Sequence, residues 1–167
     1  PKHVNEFSDE EYVIQKLYRG KEITTAFYVD KNKKLHGQIT LIRSLENGMT
    51  DMAKVEKKYD EQIIRILKEL IKHTDIYGSA NLQAIITEDE QVIPFEINCR
   101  ISGTNSIRTN FGFQDVKYTL QENLYNQSPE APSIKEGIAV RVYMDVIYPD
   151  ARSNDECLNS SSKHYLY

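Results

Sequence analysis

Hydrophobic and polar positions alternate strictly in one stretch of this chain, and a longer stretch breaks that pattern. From Phe95 to Ile101 the order is Phe-Glu-Ile-Asn-Cys-Arg-Ile, the period-two pattern of a strand with one apolar and one polar face. Residues 11–20 and 22–32 are rich in β-branched and aromatic side chains and predict two strands joined at Arg19-Gly20-Lys21. A third strand is predicted over 34–44, after the turn-like Asp30-Lys31-Asn32-Lys33, with a loop over 45–52. The break is helical: Val55, Tyr59, Ile63, Ile66, Leu67, Leu70 and Ile71 recur at three and four residues and predict a helix over roughly 53–74. Two strands follow, 79–87 and 91–100, around the acidic turn Glu88-Asp89-Glu90. Then come a shorter helix over 113–126, a Pro-containing connection, and a last strand over 138–148. Short turns between successive strands predict an α+β fold with a mostly antiparallel sheet and packed helices. The expected organisation is one domain over 1–150 and a polar tail over 151–167, read as a loop, lid or disordered end.

The two middle strands pose a chemical question. A hairpin centred between Asp89 and Glu90 sets Gln83 opposite Glu96 and Asn81 opposite Asn98. One face then gathers Asn81, Gln83, Glu96, Asn98 and Arg100. The other gathers Leu82, Ala84, Ile86, Phe95, Ile97 and Cys99, and its apolarity fixes the register, because a slip of one residue would bury the polar row. On this reading Cys99 is a small core residue. Oxygens from Gln83, Glu96 and Asn98 in one patch suit a hard cation such as Mg²⁺, which prefers oxygen ligands and shares its shell with phosphates. Arg100, one step along, offers a planar fork for a phosphate oxygen. The plain alternative is a solvated strand face that binds nothing.

Charge and composition narrow the classes. The formal net charge is -4, with no basic run, so bulk attraction to nucleic acid or membrane is not expected. No apolar stretch is long enough to span a bilayer. Two cysteines, Cys99 and Cys157, stand far apart in no metal spacing. An intracellular, cytoplasmic protein is the simplest reading. His36 and His73 have no partner pattern and are read as structural or surface residues.

Together, "GSANLQ", with Gln83 thirteen residues before Glu96, and "EINCR" resemble the metal-binding signature of ATP-grasp enzymes, in the version seen in the carbamoyl-phosphate synthase large chain. "VIQKLYRGKEIT" is similar to the family's hinge strand and the strand after it. The resemblance covers roughly residues 10–126. It implies a protein that uses ATP and Mg²⁺ (or Mn²⁺) to phosphorylate a small-molecule carboxylate, so that an amine or similar nucleophile displaces the phosphate. Gln83, Glu96 and Asn98 then fall on metal-ligand positions and Arg100 on a phosphate or acyl-phosphate contact. Lys16, Leu17 and Tyr18 fall on the adenine hinge and Glu22 on a nucleotide-site acid. Arg43 falls among the contacts to the carboxylate substrate. Lys16 departs from the pattern, since the family often has an acid there and an ammonium cannot accept a ribose hydrogen bond. Arg108 and the amides near Gly103 are a further candidate anion site. The family's N-terminal lobe, its Gly-rich loop and its phosphate-gripping basic pair have no counterpart in these residues. The expectation is therefore the C-terminal lobe of a grasp, catalytically incomplete by itself.

Overall fold

Ile23 to Val29 are buried without a gap, and the stretch Ile-Thr-Thr-Ala-Phe-Tyr-Val is what a strand covered on both faces requires. This strand, β1 (Lys21–Val29), lies near the middle of a six-stranded sheet in the computed structural model, which describes residues 14–46, 49–142, 144–157 and 162–166. The others are β2 (Leu35–Glu46), β3 (Met49–Val55), β4 (Gly78–Ile86), β5 (Val92–Asn98) and β6 (Ile138–Val140). The order across the sheet is β5-β4-β1-β2-β3-β6, and every pairing is antiparallel. The polar groups inside β1 are satisfied across the ladder. The Thr25 and Thr40 hydroxyls lie 2.8 Å apart, and Asn81 exchanges hydrogen bonds with the Thr24 hydroxyl.

Helix α1 (Asp60–His73) covers one face. Its buried stripe, Ile63, Leu67 and Ile71, packs on Ile23, Phe27, Val29, Leu82, Ala84 and Ile86. Full burial of each such side chain contributes about 1.5–3 kcal/mol of transfer free energy. Asp60 and Glu61 in the first turn and Lys72 and His73 in the last complement the helix dipole. Burial pushes the Asp60 carboxyl above its ordinary range, against the hydrogen bond it accepts from Gln38. On the opposite face, α2 (Asn105–Asn110) and α3 (Asp115–Asn123) bring Ile107, Phe113 and Tyr118 onto Ala26, Tyr28, Ile39, Leu41, Ala53 and Val55. Tyr28 is fully buried there and donates to Glu122 Oε2 at 2.9 Å. Burial first, and then the Glu122 carboxylate, hold its phenol above the ordinary value, so Tyr28 remains a donor. His36 packs edge-on to Tyr28 and Tyr118, and His73 pairs with Glu69 on the surface.

Several elements differ from expectation. The predicted loop over 45–52 is largely strand, the end of β2 and the start of β3, and β3 places Val55 in the ladder opposite Leu41, so the helix starts at Asp60 rather than near 53. Val55 matched the helical spacing by coincidence of period. Residues 14–19 form no strand, and 11–13 lie outside the described residues. The last strand stops at Val140, and the helix start near Gly103 opens only the short α2. Beyond it, β7 (Val146–Ile147) pairs with β8 (Tyr165–Leu166), with the single turn α4 (Asn154–Cys157) between them in sequence. Among the described residues no helix is long and apolar enough to cross a membrane.

Candidate functional site

The face that carries α2 and α3 is only partly covered, and its open part is built by β5, β4, β1 and β2. Strand pairing lays out the floor. Asn98 stands opposite Asn81, and Glu96 opposite Gln83. Gln83 stands opposite Thr24, and Ile85 opposite Glu22. Arg43 lies beyond Glu22 on β2 and reaches it, with Nη2 3.2 Å from Glu22 Oε1. Neighbours along one strand on the same face are about 7 Å apart. Gln83, Glu96, Asn98, Glu22 and Arg43 therefore share one continuous surface.

The expected pairs Gln83–Glu96 and Asn81–Asn98 are both present, but the register slips closer to the turn. Ala84 pairs with Pro94, leaving Phe95 as the extra residue of a bulge. The hairpin closes through hydrogen bonds between Thr87 and Gln91, with Glu90 at φ +60. The slip corrects the expected apolar face. Leu82, Ala84 and Ile86 are buried, whereas Phe95 and Ile97 are each 37% exposed and Cys99 is exposed. β5 is an edge strand that joins the α1 core at Val92, and the row Phe95, Ile97 and Cys99 beyond it lies outside that core, so the row lacks the partner that the alternation implied.

Gln83 and Asn98 are half-buried and Glu96 is exposed. Among the described residues, the side chains of these three make no hydrogen bonds, in contrast to Asn81, which Thr24 holds. One carboxylate and two amide oxygens suit Mg²⁺, which keeps waters and takes the rest of its shell from phosphate. No group of three or more His, Cys, Asp or Glu side chains able to hold a metal occurs among the described residues. The donor set thus fits a hard ion held jointly with a phosphate ligand, and not a soft or all-protein site.

Arg100 departs from expectation. β5 ends at Asn98, and the Arg100 amide donates to Asn98 O at 2.9 Å, a three-residue turn about Cys99. Arg100 therefore leaves the strand face and is exposed, its guanidinium 3.5 Å from its neighbour's carbonyl, Ile101 O. Arg108 is not an anion site at all. It is 0% exposed and paired with Asp115, Nη2 to Oδ2 at 2.6 Å. This pair is the element that reading the sequence missed. Arg108 and Asp115 are seven apart with a turn between them, a spacing that signals nothing by itself.

Lys16, Leu17 and Tyr18 line a cleft of about 480 Å³ with Gln15, Ile85, Ile93, Pro94 and Phe95. Lys16 Nζ lies 4.9 Å from the centre of the Tyr18 ring. The bulge that takes Phe95 out of the core row brings it to this cleft. Ile85 ties the cleft to the polar floor, since it is on β4 two residues past Gln83. The hinge approaches the sheet through Gly20: a Cβ there would stand 2.0 Å from the Ile86 carbonyl oxygen, at a φ of +157. Gly20→Ala is expected to cost about 1–3 kcal/mol of stability from overpacking, because the obstacle is backbone. Thermal melting checks this; an unchanged transition would mean that the hinge moves freely.

No protein-family model matches the chain, and no curated protein matches it in sequence. Solved structures do match it in fold. The phosphoribosylaminoimidazole carboxylase ATPase subunit from Aquifex aeolicus is 19% identical, with a TM-score of 0.57 over 83% of this chain and 44% of that one. N5-carboxyaminoimidazole synthase from Aspergillus clavatus, solved with ADP and 5-aminoimidazole ribonucleotide, is 13% identical, with a TM-score of 0.59 over 77% and 36%. The biotin carboxylase domain of Hydrogenobacter thermophilus 2-oxoglutarate carboxylase, solved with MgADP, ADP and bicarbonate, is 15% identical, with a TM-score of 0.54 over 71% and 28%. This chain spans less than half the length of each.

Proposed function

We propose, from the premise that this chain carries the ATP-grasp fold, that its open sheet face is one jaw of an ATP- and Mg²⁺-dependent ligase that activates a carboxylate as an acyl phosphate for an amine or similar nucleophile. The observation that carries the reading is the hairpin register, with Gln83 facing Glu96 and Asn98 one step along. In this reading the adenine enters the cleft between Lys16–Tyr18 and Ile85/Phe95, whose walls include Leu17, Ile85, Ile93, Pro94 and Phe95. The phosphates then extend over Gln83, Glu96 and Asn98. A Mg²⁺ ion bound there would neutralise the charge of the transferred phosphoryl group. Glu22 and Arg43 stand beside the phosphate path, paired with each other, so that an incoming anion would draw Arg43 and a ribose hydroxyl would engage Glu22. Arg100, freed from the strand by the turn at Cys99, would reach the acyl phosphate from the segment above. The carbamoyl-phosphate synthase-like pattern of Gln83, Glu96, Asn98 and Arg100 is the basis for the acyl-phosphate chemistry.

A second reading is a nucleotide-binding module without catalysis. Lys16 favours it, because an ammonium stands where a ribose-accepting acid is expected. Calorimetry with Mg²⁺ and ATP tests both. The face is open, phosphate charges on it stay in water, and each contact is correspondingly weak. Residues 1–167 alone are expected to bind Mg²⁺·ATP no tighter than micromolar and to turn nothing over. Submicromolar binding would overturn the proposal that a second lobe must cover this face. No binding at all, with melting intact, would remove the nucleotide reading.

A further inference from the structure

Arg108 and Asp115 form a buried ion pair beneath the segment that follows the metal strand. Both side chains are fully enclosed. Arg108 Nε donates to Asp115 Oδ1 at 3.2 Å and Nη2 to Oδ2 at 2.6 Å, the parallel geometry of a guanidinium on a carboxylate. Arg108 Nη1 donates to Ser102 Oγ at 2.5 Å and to Thr104 Oγ1 at 3.2 Å. Asp115 also accepts from Asn105 Nδ2 at 3.0 Å and from the Ser79 hydroxyl. Ser79 is on β4, on the same face as Asn81 and Gln83, two and four residues before them. The network therefore links the polar row of β4 to Ser102 and Thr104, a segment with no strand or helix of its own whose other end is Asn98.

We infer that Arg108 and Asp115 are positioning residues: they fix the 99–104 segment, and through it set where Asn98 and Arg100 stand over the polar face. This inference rests on the nucleotide–metal reading of that face. A pair needed only for stability has no reason to be ionic, because well-packed apolar residues replace buried ion pairs without loss of stability in other proteins. What an apolar pair cannot do is hold two hydroxyls of an irregular segment at defined positions. Every acceptor oxygen of Asp115 is used and each terminal nitrogen of Arg108 is engaged, so the geometry of the segment is tied to that of the pair. Partners of metal ligands typically change metal affinity or activity by about 10–100-fold when they are lost.

The test is the double variant Arg108→Met/Asp115→Leu, which removes both charges together. Three quantities are measured against wild type: the melting temperature, the amide exchange of residues 99–104, and the affinity for Mn²⁺·ATP by electron paramagnetic resonance. The expected result is near wild-type melting, exchange at least about tenfold faster in 99–104, and Mn²⁺·ATP binding about 10–100-fold weaker. Unchanged exchange and affinity in a folded variant would overturn the positioning role and leave the nucleotide reading standing. Absence of Mn²⁺·ATP binding by the wild type would overturn both. Should the double variant not fold, Ser102→Ala/Thr104→Ala leaves the ion pair intact and releases only the segment. It is expected to show the same faster exchange and weaker binding, and unchanged values would again overturn the role.

Discussion

Glu96→Ala is expected, on the proposed ligase reading, to lower metal-dependent ATP turnover by at least about 10²–10³-fold once the second lobe is supplied, the usual loss when one key electrostatic group is removed. Glu96 is the only formal charge among Gln83, Glu96 and Asn98, so it supplies most of the attraction for a divalent ion. Its side chain is exposed and makes no hydrogen bond among the described residues, so folding should lose no more than the roughly 0.5 kcal/mol typical of a surface change. Turnover and melting read the two effects separately. Unaltered turnover would remove Glu96 from the site. A lost cooperative transition would assign it to the fold instead.

Arg108→Met alone should have the largest effect on stability. It leaves the Asp115 carboxylate enclosed without its counter-charge, a situation that costs about 3–5 kcal/mol in other proteins. Asn105 and Ser79 would still donate to Asp115, but neither is charged. Urea denaturation measures the loss. A change below about 1 kcal/mol would show that water or a neighbour readily reaches Asp115, and that the pair is not the anchor its burial implies. The contrast with the double variant is informative, because removing the second charge should restore most of what removing the first one costs.

The sheet and its principal helix were legible because their patterns are local. Ile63, Leu67 and Ile71 repeat at helical spacing, and Gln83 and Glu96 share a face once the hairpin is drawn. What failed depended on context. Val55 fits a helix as well as a strand, and only pairing with Leu41 decides between them. Phe95, Ile97 and Cys99 alternate as a buried row should, but alternation cannot show that the α1 core takes in Val92 of the edge strand and not this row. Nor can it show the bulge, which takes Phe95 out of that row and lends it to the cleft beside Lys16–Tyr18. Arg100 looked like part of the polar row because the period ran on past Asn98, where the chain in fact turns. Arg108 was visible only as a candidate anion contact, since nothing in a linear sequence announces that Asp115 will meet it in the interior. The ATP-grasp-like fold was read from the Gln83–Glu96 hairpin, and at the level of fold the mostly antiparallel sheet with its packed helices bears it out.

The bulge in β5 has a consequence for solubility. An edge strand with exposed Phe95 and Ile97 is a ready template for another chain to zip onto. Three features of the same few residues oppose this. Pro94 has no amide hydrogen to offer, the extra residue at Phe95 breaks the even spacing of the remaining donors, and Glu96 sets a negative charge on the rim. The strand that holds two of the three proposed metal ligands is thus also the one guarded against self-association, and on the proposed reading the Glu96 carboxylate takes part in both. An engineer who straightens this strand or neutralises Glu96 therefore risks aggregates as well as the loss of the proposed metal site.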